Sequence, residues 1–239
     1  KLKKRPKKNP LIVHYVSLTM LKKDCYLNKN FFKLFKKFCP GPLTFVLKLK
    51  KNSKISKFVT NKKKTLAVRF PSHPKAKSLL RILNYPLAAP SANISSRVSP
   101  VTKNHVKEEF GKKIKYIIEG GHSKIGLEST IINLTGKPEI LRIGSIDINK
   151  LSKALKKRLL YRKKTYMKVP GQNRLHYSPG IPLRMNCKEA SKDEAFILVK
   201  KRNNSNKNFF YLSKNKNLKE AARNLYSTLR MIKKKGYKR

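Results

Sequence analysis

Two segments of the chain place cationic and small polar side chains at spacings that could bind a phosphate or a carboxylate. In the basic run at residues 1–10, Arg5 offers a forked donor and Lys3 a point charge for a triphosphate, and Asn9 offers a neutral donor. Ser91 and Asn93 follow small residues that permit a close approach of the backbone to a ligand. Each pattern also has a plain structural interpretation, because basic runs are usually solvated and Ser and Asn favour turns.

Further candidates for chemistry lie on predicted strands. Arg69 and Arg142 each interrupt an apolar strand, where an arginine either faces solvent or meets a carboxylate through two hydrogen bonds. His14 ends an apolar run and is the best placed of the five histidines. Ser129 begins a strand after a loop that contains glycines. No Gly-x-Ser-x-Gly elbow accompanies it, so hydrolase chemistry has little support.

The elements that must position these residues alternate between strands and helices, which indicates an α/β fold. Strands are predicted at 11–16, 43–49, 65–70, 114–118, 128–134, 139–143, 195–199 and 209–212, and helices at 19–38, 74–83, 101–110, 147–159 and 218–232. A Thr-Gly-Lys-Pro turn predicts that strands 128–134 and 139–143 pair as a hairpin. Residues 160–184 contain several Pro and Gly residues with little periodicity, which predicts a linker or functional loop.

The composition is extremely basic, with 60 Lys and Arg against 11 Asp and Glu and a formal charge of +49. A polyanion such as RNA is one explanation, and AT-rich codon usage is the other, because the lysines are scattered along the whole chain. No apolar run is long enough for a transmembrane helix. Three cysteines (Cys25, Cys39 and Cys187) form no close pair, so we expect neither a zinc cluster nor a disulfide framework, and a reducing cytoplasm is the predicted location.

Taken in order, the motifs resemble those of the threonylcarbamoyl-AMP synthase family, whose catalytic domain is called YrdC-like. The resemblance rests on KKRPKKNPLIVH at 3–14, PGPLT at 40–44, AVRFP at 67–71, APSAN at 89–93, EGG at 119–121, ESTI at 128–131 and LRIG at 141–144. A later motif, PGQNRLHYSP at 170–179, resembles the linker of the longer, two-domain members.

The resemblance implies a twisted mixed sheet whose helices form a basic concave cavity. It divides the chain into a catalytic domain at 1–159, a linker that acts as a lid at 160–184, and an incomplete α/β domain at 185–239. Family members normally carry a further strand-helix-strand segment with a Pro-Thr-Glu-Thr-x-Tyr-Gly-Leu stretch before the first motif, and their second domain is longer. We therefore expect the chain to be truncated at both ends.

The resemblance also implies a reaction and its partners. The family condenses L-threonine, bicarbonate and ATP to threonylcarbamoyl-AMP, usually with Mg²⁺, and releases pyrophosphate. A partner transferase then modifies tRNA. By motif match, the residues implied for ATP are Lys3, Arg5, Asn9, Thr65, Ser91, Asn93, Arg142 and Tyr177, and those for threonine are His14, Arg69 and Ser129. No covalent protein nucleophile is expected.

Two other functions remain open at this point. The charge would suit a noncatalytic protein that binds double-stranded RNA or tRNA, although such a protein has no need of the full motif set. A carbamoyl-transfer enzyme of hydrogenase maturation contains a similar domain, but those proteins carry zinc-finger cysteine pairs that are absent here.

Overall fold

A computed structural model describes residues 2–6, 9–161, 176–201 and 206–239. The described residues form two compact units. The sheet unit comprises those within Arg5–Pro90 and Glu128–Gln172, and the terminal unit comprises those within Lys1–Lys4, Ser91–Leu127 and Asn173–Arg239. Residues 162–175 of the predicted lid lie outside the described residues, and the predicted domain boundaries stay a prediction. No helix in the described part is long and apolar enough to cross a membrane.

The regular elements confirm an α/β fold with a small second α/β part. The strands are β1 (Ile12–His14), β2 (Leu43–Lys48), β3 (Thr65–Arg69), β4 (Leu87–Ala89), β5 (Thr130–Asn133), β6 (Glu139–Arg142), β7 (Phe196–Lys200) and β8 (Phe209–Ser213). The helices are α1 (Leu18–Asp24), α2 (Lys29–Phe38), α3 (Lys57–Thr60), α4 (Pro74–Leu83), α5 (Lys103–Phe110), α6 (Ile148–Leu155) and α7 (Leu218–Lys234).

The sheet unit contains a mixed sheet with strand order β4-β1-β3-β2-β5-β6. The pairs β1/β3 and β2/β5 are parallel, and the other neighbours are antiparallel. The predicted hairpin of β5 and β6 is confirmed. The apolar residues of this hairpin, and those of β2 and β3, point alternately to the two faces of the sheet, as strand geometry requires.

One face of the sheet packs against helices to form the main core. Leu43, Phe45 and Leu47 of β2 and Phe31 and Leu34 of α2 belong to this cluster. The rings of Phe31 and Phe45 meet edge to face with centroids 4.9 Å apart. A smaller cluster, formed by Val46, Ala67, Ile131 and Leu141, lies on the other face.

Two predicted elements are wrong. The single helix at 19–38 is two helices, because the side chain of Asn28 accepts a hydrogen bond from the Phe31 amide and so caps a new helix, α2. The strand at 114–118 is absent. A short 3₁₀ turn (Gly111–Lys113) precedes these residues, and Tyr116 and Ile118 are exposed, so their apolar side chains gain no burial from strand pairing.

The terminal unit has its own small core. The parallel strands β7 and β8 pair in register, and β8 packs with α7. Val98, Val101, Tyr226 and Leu229 form a buried cluster. Arg230 of α7 donates to the carboxylate of Glu109 at 2.9 Å, which joins α7 to α5 within this unit.

A buried tyrosine and carboxylate tie α1 to the main core. The Tyr15 hydroxyl donates to Asp24 at 2.8 Å, and the Ser53 hydroxyl donates to the other Asp24 oxygen at 2.6 Å. Burial, followed by the hydrogen bond to Asp24 and the charge of Asp24, raises the pKa of Tyr15 above its ordinary value.

We predict that Tyr15→Phe lowers the free energy of unfolding by about 1–3 kcal/mol, because it leaves a buried carboxylate with one partner fewer. Urea denaturation measures this change. The matched control is Tyr26→Phe, which removes the hydroxyl of a tyrosine that is 53% exposed and should change stability by less than about 0.5 kcal/mol. Equal effects of the two substitutions would contradict the role of the buried pair.

Candidate functional site

Polar side chains from five strands meet at one end of the six-stranded sheet. The parallel strands β1 and β3 both end there, at His14 and Arg69. Since β2 is antiparallel to β3, it begins at this end, where Thr44 pairs with Arg69. Ser129 immediately precedes β5, which is parallel to β2, and β6 returns to end at Arg142. We call His14, Thr44, Arg69, Ser129 and Arg142 the sheet-end cluster.

The cluster faces away from the main core. Thr44 lies between Leu43 and Phe45, whose side chains belong to that core, so alternation points Thr44 to the opposite face. Arg69 is the register partner of Thr44 in β3. Because cross-strand partners point to the same side of a sheet, Arg69 shares this face.

A β-bulge brings Arg142 to the same face. Ile131 of β5 pairs with Arg142, whereas the next residue, Ile132, pairs with Ile140. Leu141 is therefore the extra residue of a bulge. In a regular strand, Arg142 would lie two residues after Ile140 on the same face and would point toward the main core, to which Ile140 belongs.

Ser129 is the most closely held member of the cluster. Arg142 donates to the Ser129 carbonyl from Nε at 3.1 Å and from Nη2 at 2.8 Å, and Nη2 also contacts Ser129 Oγ at 3.0 Å. The hydroxyl oxygens of Ser129 and Thr44 are 2.8 Å apart. Gly144 lies so close that an added Cβ would come within 2.5 Å of the Ser129 carbonyl carbon. These contacts fix both the backbone and the hydroxyl of Ser129.

Arg69 supplies the cluster with positive charge that no protein carboxylate neutralises among the described residues. Its Nε donates to the Gly41 carbonyl at 3.2 Å, which orients the guanidinium. Burial, and then the positive charge of Arg142, lower the pKa of Arg69. A buried guanidinium without a carboxylate partner among the described residues, such as that of Arg69, favours an anionic ligand.

His14 is a neutral hydrogen-bonding group in the cluster at neutral pH. Burial, and then the charge of Arg69, lower the pKa of His14 from its ordinary value to about 4. Its Nδ1 lies 3.3 Å from the Leu87 carbonyl, and the neutral tautomer that donates there leaves Nε2 as an acceptor.

The structure also places three other predicted residues of the sheet unit. Arg5 donates to the carbonyls of Asn9 at 2.6 Å and Pro10 at 2.9 Å, so its guanidinium holds the chain just before β1. Thr65 begins β3 and therefore lies four residue steps, about 13 Å, from Arg69 at the other end of the strand. The structure does not bring Thr65 to the sheet-end cluster.

The remaining predicted residues belong to the terminal unit. The Lys3 ammonium donates to the backbone oxygens of Ser91 and Asn93, which brings these three residues together. The Asn93 amide nitrogen donates to the Ile94 and Arg97 carbonyls, while its buried Oδ1 has no partner among the described residues.

Tyr177, in the same unit, is held by packing. Its ring stacks on Tyr226 of α7 with centroids 5.8 Å apart. It also packs against the buried cluster of Val98 and Leu229. This contact positions Tyr177 through its apolar surface, and its role toward ATP stays a prediction.

Sequence reasoning missed Thr44. The residue lies in the PGPLT motif at 40–44 and at the start of a predicted strand, where a threonine among Leu, Phe and Val indicates a strand and no more. The available signal was its polarity on a strand whose other residues are apolar.

Comparison with known proteins decides the family. Residues 1–144 match the Sua5/YciO/YrdC family, described as "Telomere recombination", and residues 143–238 match the threonylcarbamoyl-AMP synthase C-terminal domain. The chain belongs to the threonylcarbamoyl-AMP synthase family of the Sua5 type. Both alternatives left open by the sequence are less consistent with this pair of matched domains.

Individual members of the threonylcarbamoyl-AMP synthase family show how far the match extends. The chain is 39% identical over 186 residues to the enzyme of Pyrococcus abyssi, which covers 74% of this chain and 54% of that protein. It is 37% identical over 212 residues to the enzyme of Schizosaccharomyces pombe, which covers 75% and 52%. The chain thus spans about half the length of the curated relatives it matches.

A solved structure of the family has the same fold. The crystal structure of P. abyssi Sua5 complexed with L-threonine superposes with a TM-score of 0.85 at 31% identity, covering 99% of this chain and 75% of that one. The chain therefore shares its fold, a mixed sheet with a small second α/β part, with this relative.

We predict a pH-dependent stability contribution from His14. The unfolded chain protonates this residue near its ordinary pKa of about 6.5, whereas the folded chain does so near 4. Between these values the unfolded state binds more protons, so stability is lost as the pH falls below about 6.5. Urea denaturation measures the free energy of unfolding at about pH 7.5 and at about pH 5. Between these values, the wild type should lose about 2 kcal/mol more of this free energy than His14→Gln does. The same loss in both proteins would contradict the assignment.

Proposed function

We propose that the chain forms threonylcarbamoyl-AMP and pyrophosphate from L-threonine, bicarbonate and ATP. Membership of the threonylcarbamoyl-AMP synthase family supports the reaction, and the P. abyssi relative is described as complexed with L-threonine. The observation that carries the proposal is the sheet-end cluster, where His14, Arg69 and Ser129 meet on one face of the sheet. These are the three residues that the motif match assigns to threonine.

The chemistry of the cluster suits an amino acid. We assign the carboxylate to Arg69, because its guanidinium has no carboxylate partner among the described residues and can bind two oxygens at once. We assign an acceptor role to His14 Nε2, which can receive a hydrogen bond from the threonine hydroxyl or ammonium. Ser129 would supply a short, rigidly held hydroxyl.

For ATP, the proposal follows the motif match. The residues assigned to it are Lys3, Arg5, Asn9, Thr65, Ser91, Asn93, Arg142 and Tyr177. Contacts within the terminal unit support the grouping of Lys3, Ser91 and Asn93. The Oδ1 of Asn93, which has no partner in the part of the chain that the structure describes, is an acceptor, so it suits a ribose hydroxyl or the adenine amino group better than a phosphate. Thr65 rests on the motif match alone.

In the part of the chain that the structure describes, no group of three or more His, Cys, Asp and Glu side chains could bind a metal ion. We propose that Mg²⁺ enters with the phosphates of ATP, its usual partners. The protein would then contribute positioning and positive charge, with no covalent nucleophile. Family membership further suggests a basic concave cavity, a lid at 160–184, a cytoplasmic location and a downstream tRNA-modifying transferase.

We predict that pyrophosphate release from ATP depends on both L-threonine and bicarbonate. Arg69→Gln should lower kcat/KM for threonine by about 10- to 100-fold, because it removes a charge-assisted hydrogen bond to the carboxylate. The matched control is Arg81→Gln, an exposed arginine on α4, which should leave the value within about twofold.

The assay is best run on this 239-residue chain and on a version that also carries the family's N-terminal segment. Pyrophosphate release that does not depend on threonine in either protein would contradict the proposed reaction. Equal losses in Arg69→Gln and Arg81→Gln would contradict the threonine assignment while leaving the reaction intact.

A second candidate role, contact with tRNA or double-stranded RNA, is favoured by one surface of the sheet unit. Tyr26 is exposed, and the ammonium groups of Lys48 and Lys50 lie 5.9 and 5.7 Å from its ring centroid. Asp24 is the only acidic residue in residues 5–90, and it is buried and hydrogen-bonded to Tyr15. An aromatic ring with flanking cations, in a stretch of chain whose one carboxylate is buried, suits a nucleic acid.

We predict that this surface, defined by Tyr26, Lys48 and Lys50, binds tRNA locally. Lys48→Gln with Lys50→Gln should weaken binding at least about fivefold and reduce the salt slope by about 2, since each phosphate contact contributes about one. The control pair, Lys214→Gln with Lys216→Gln, removes the same charge from exposed positions of the terminal unit. It should weaken tRNA binding by less than about twofold. Equal effects of the two pairs would favour codon usage as the origin of the charge.

A further inference from the structure

We infer that Thr44 is a positioning residue that fixes the direction in which the Ser129 hydroxyl donates its proton, and thereby makes the sheet-end cluster selective for a carboxylate. The inference rests on the proposed function and deepens it. It concerns a residue that the motif match did not assign to either substrate.

The Ser129 oxygen is already an acceptor toward Arg142. Arginine has donors and no acceptor, so the 3.0 Å contact from Arg142 Nη2 uses one of the two lone pairs of Ser129 Oγ. A hydroxyl has one proton and two lone pairs. The Ser129 hydroxyl therefore has one lone pair and one proton left.

The contact with Thr44 can use either of these. The two hydroxyl oxygens are 2.8 Å apart, and either could be the donor. Together they carry two protons, of which this contact uses one. The second proton has no acceptor in the protein among the described residues, because no other hydrogen bond of either hydroxyl is present there.

Position in the sheet decides which proton remains. Thr44 is fully enclosed, at 0% exposure, because β2 lies between β3 and β5. Ser129 is also buried, at 2% exposure, but it precedes β5 at the end of the sheet and contacts Arg142 there. A proton left on Thr44 would stay an unsatisfied buried donor even with a ligand bound, whereas a ligand in the cluster can accept the Ser129 proton. Thr44 therefore donates to Ser129, and the remaining proton belongs to Ser129.

This arrangement makes Ser129 a donor only toward anything bound in the cluster. Both lone pairs are occupied, one by Arg142 and the other by Thr44. With the Arg69 guanidinium, which is also donor-only, the cluster then offers donors that match the acceptor-only oxygens of a carboxylate. An amide in place of the carboxylate would bring N–H groups that find no acceptor at Ser129.

The test compares L-threonine with L-threonine amide by calorimetric titration in bicarbonate-depleted buffer with ATP. Thr44→Val keeps the shape of the side chain and removes its hydroxyl. It should weaken L-threonine binding by about threefold to tenfold. It should also reduce the preference for threonine over its amide, because the freed lone pair of Ser129 can accept from the amide nitrogen.

Two variants separate this role from a packing effect. Thr44→Ser keeps the hydroxyl. Its affinity for L-threonine and its preference for threonine over the amide should both lie within about twofold of wild type. Val46→Thr makes the reverse exchange two residues along the same face of β2, away from Ser129, and should change neither. Thermal unfolding of each variant reports any general destabilisation.

The outcomes distinguish the two proposals. Wild-type protein that binds no L-threonine would overturn the proposed function and this inference with it. Wild-type protein that binds L-threonine, with Thr44→Val retaining the same affinity and the same preference over the amide, would overturn the inference alone. A Thr44→Ser variant that behaves like Thr44→Val would do so too, since the hydroxyl would then not be the group that matters.

Discussion

The reversal of strand direction across the six-stranded sheet is the constraint on which the site depends. The strands β1 and β3 end where β2 begins, so His14 and Arg69 meet Thr44. In an all-parallel sheet, the start of β2 would lie at the end opposite to Arg69. The antiparallel pairing of β2 with β3 therefore brings the cluster together. Because backbone hydrogen bonds of the sheet hold these strands, the side chains are positioned more rigidly than they would be on loops.

Positive charge at this end of the sheet carries a structural cost that a ligand can offset. Burial of Arg69, followed by the charge of Arg142, lowers the pKa of Arg69, so the cationic form is less favourable there than in water. An anion bound between the protein's donors offsets this cost, because its charge favours the cationic form of Arg69. Such an anion stabilises the folded state in proportion to its affinity, as any ligand does that binds only the native protein. The site and the stability of the sheet end are thus linked.

The sequence predicted the residues of the site better than it predicted how they meet. His14, Arg69 and Ser129 each lie in a motif, and the sequence leaves open whether Arg69 faces solvent or meets a carboxylate. Which strands run in the same direction depends on tertiary pairing, which a local pattern does not contain. The bulge at Leu141 was equally hidden, because an extra residue in one strand changes the face of Arg142 without changing the apolar pattern around it.

The errors in the secondary structure have the same origin. An apolar face from 19 to 38 predicts one helix, yet Asn28 caps a second helix within it, and the chain between them pairs Cys25 with Leu49. Residues 114–118 have the composition of a strand but no strand beside them. In both cases a tertiary partner, or the lack of one among the described residues, overrode a local preference.

Lysine and arginine take different places in this basic chain, which bears on the meaning of its charge. Arg142 uses two nitrogens to hold Ser129, and Arg5 uses two nitrogens to hold successive carbonyls before β1. These contacts need the planar fork of a guanidinium, which a lysine cannot replace. Lys48 and Lys50, in contrast, contribute charge near an exposed ring. AT-rich codon usage explains a lysine where charge alone is needed, and it does not explain an arginine where geometry is needed. Arg5 and Arg142 therefore occupy positions where the geometry of a guanidinium is needed, whatever the origin of the lysines.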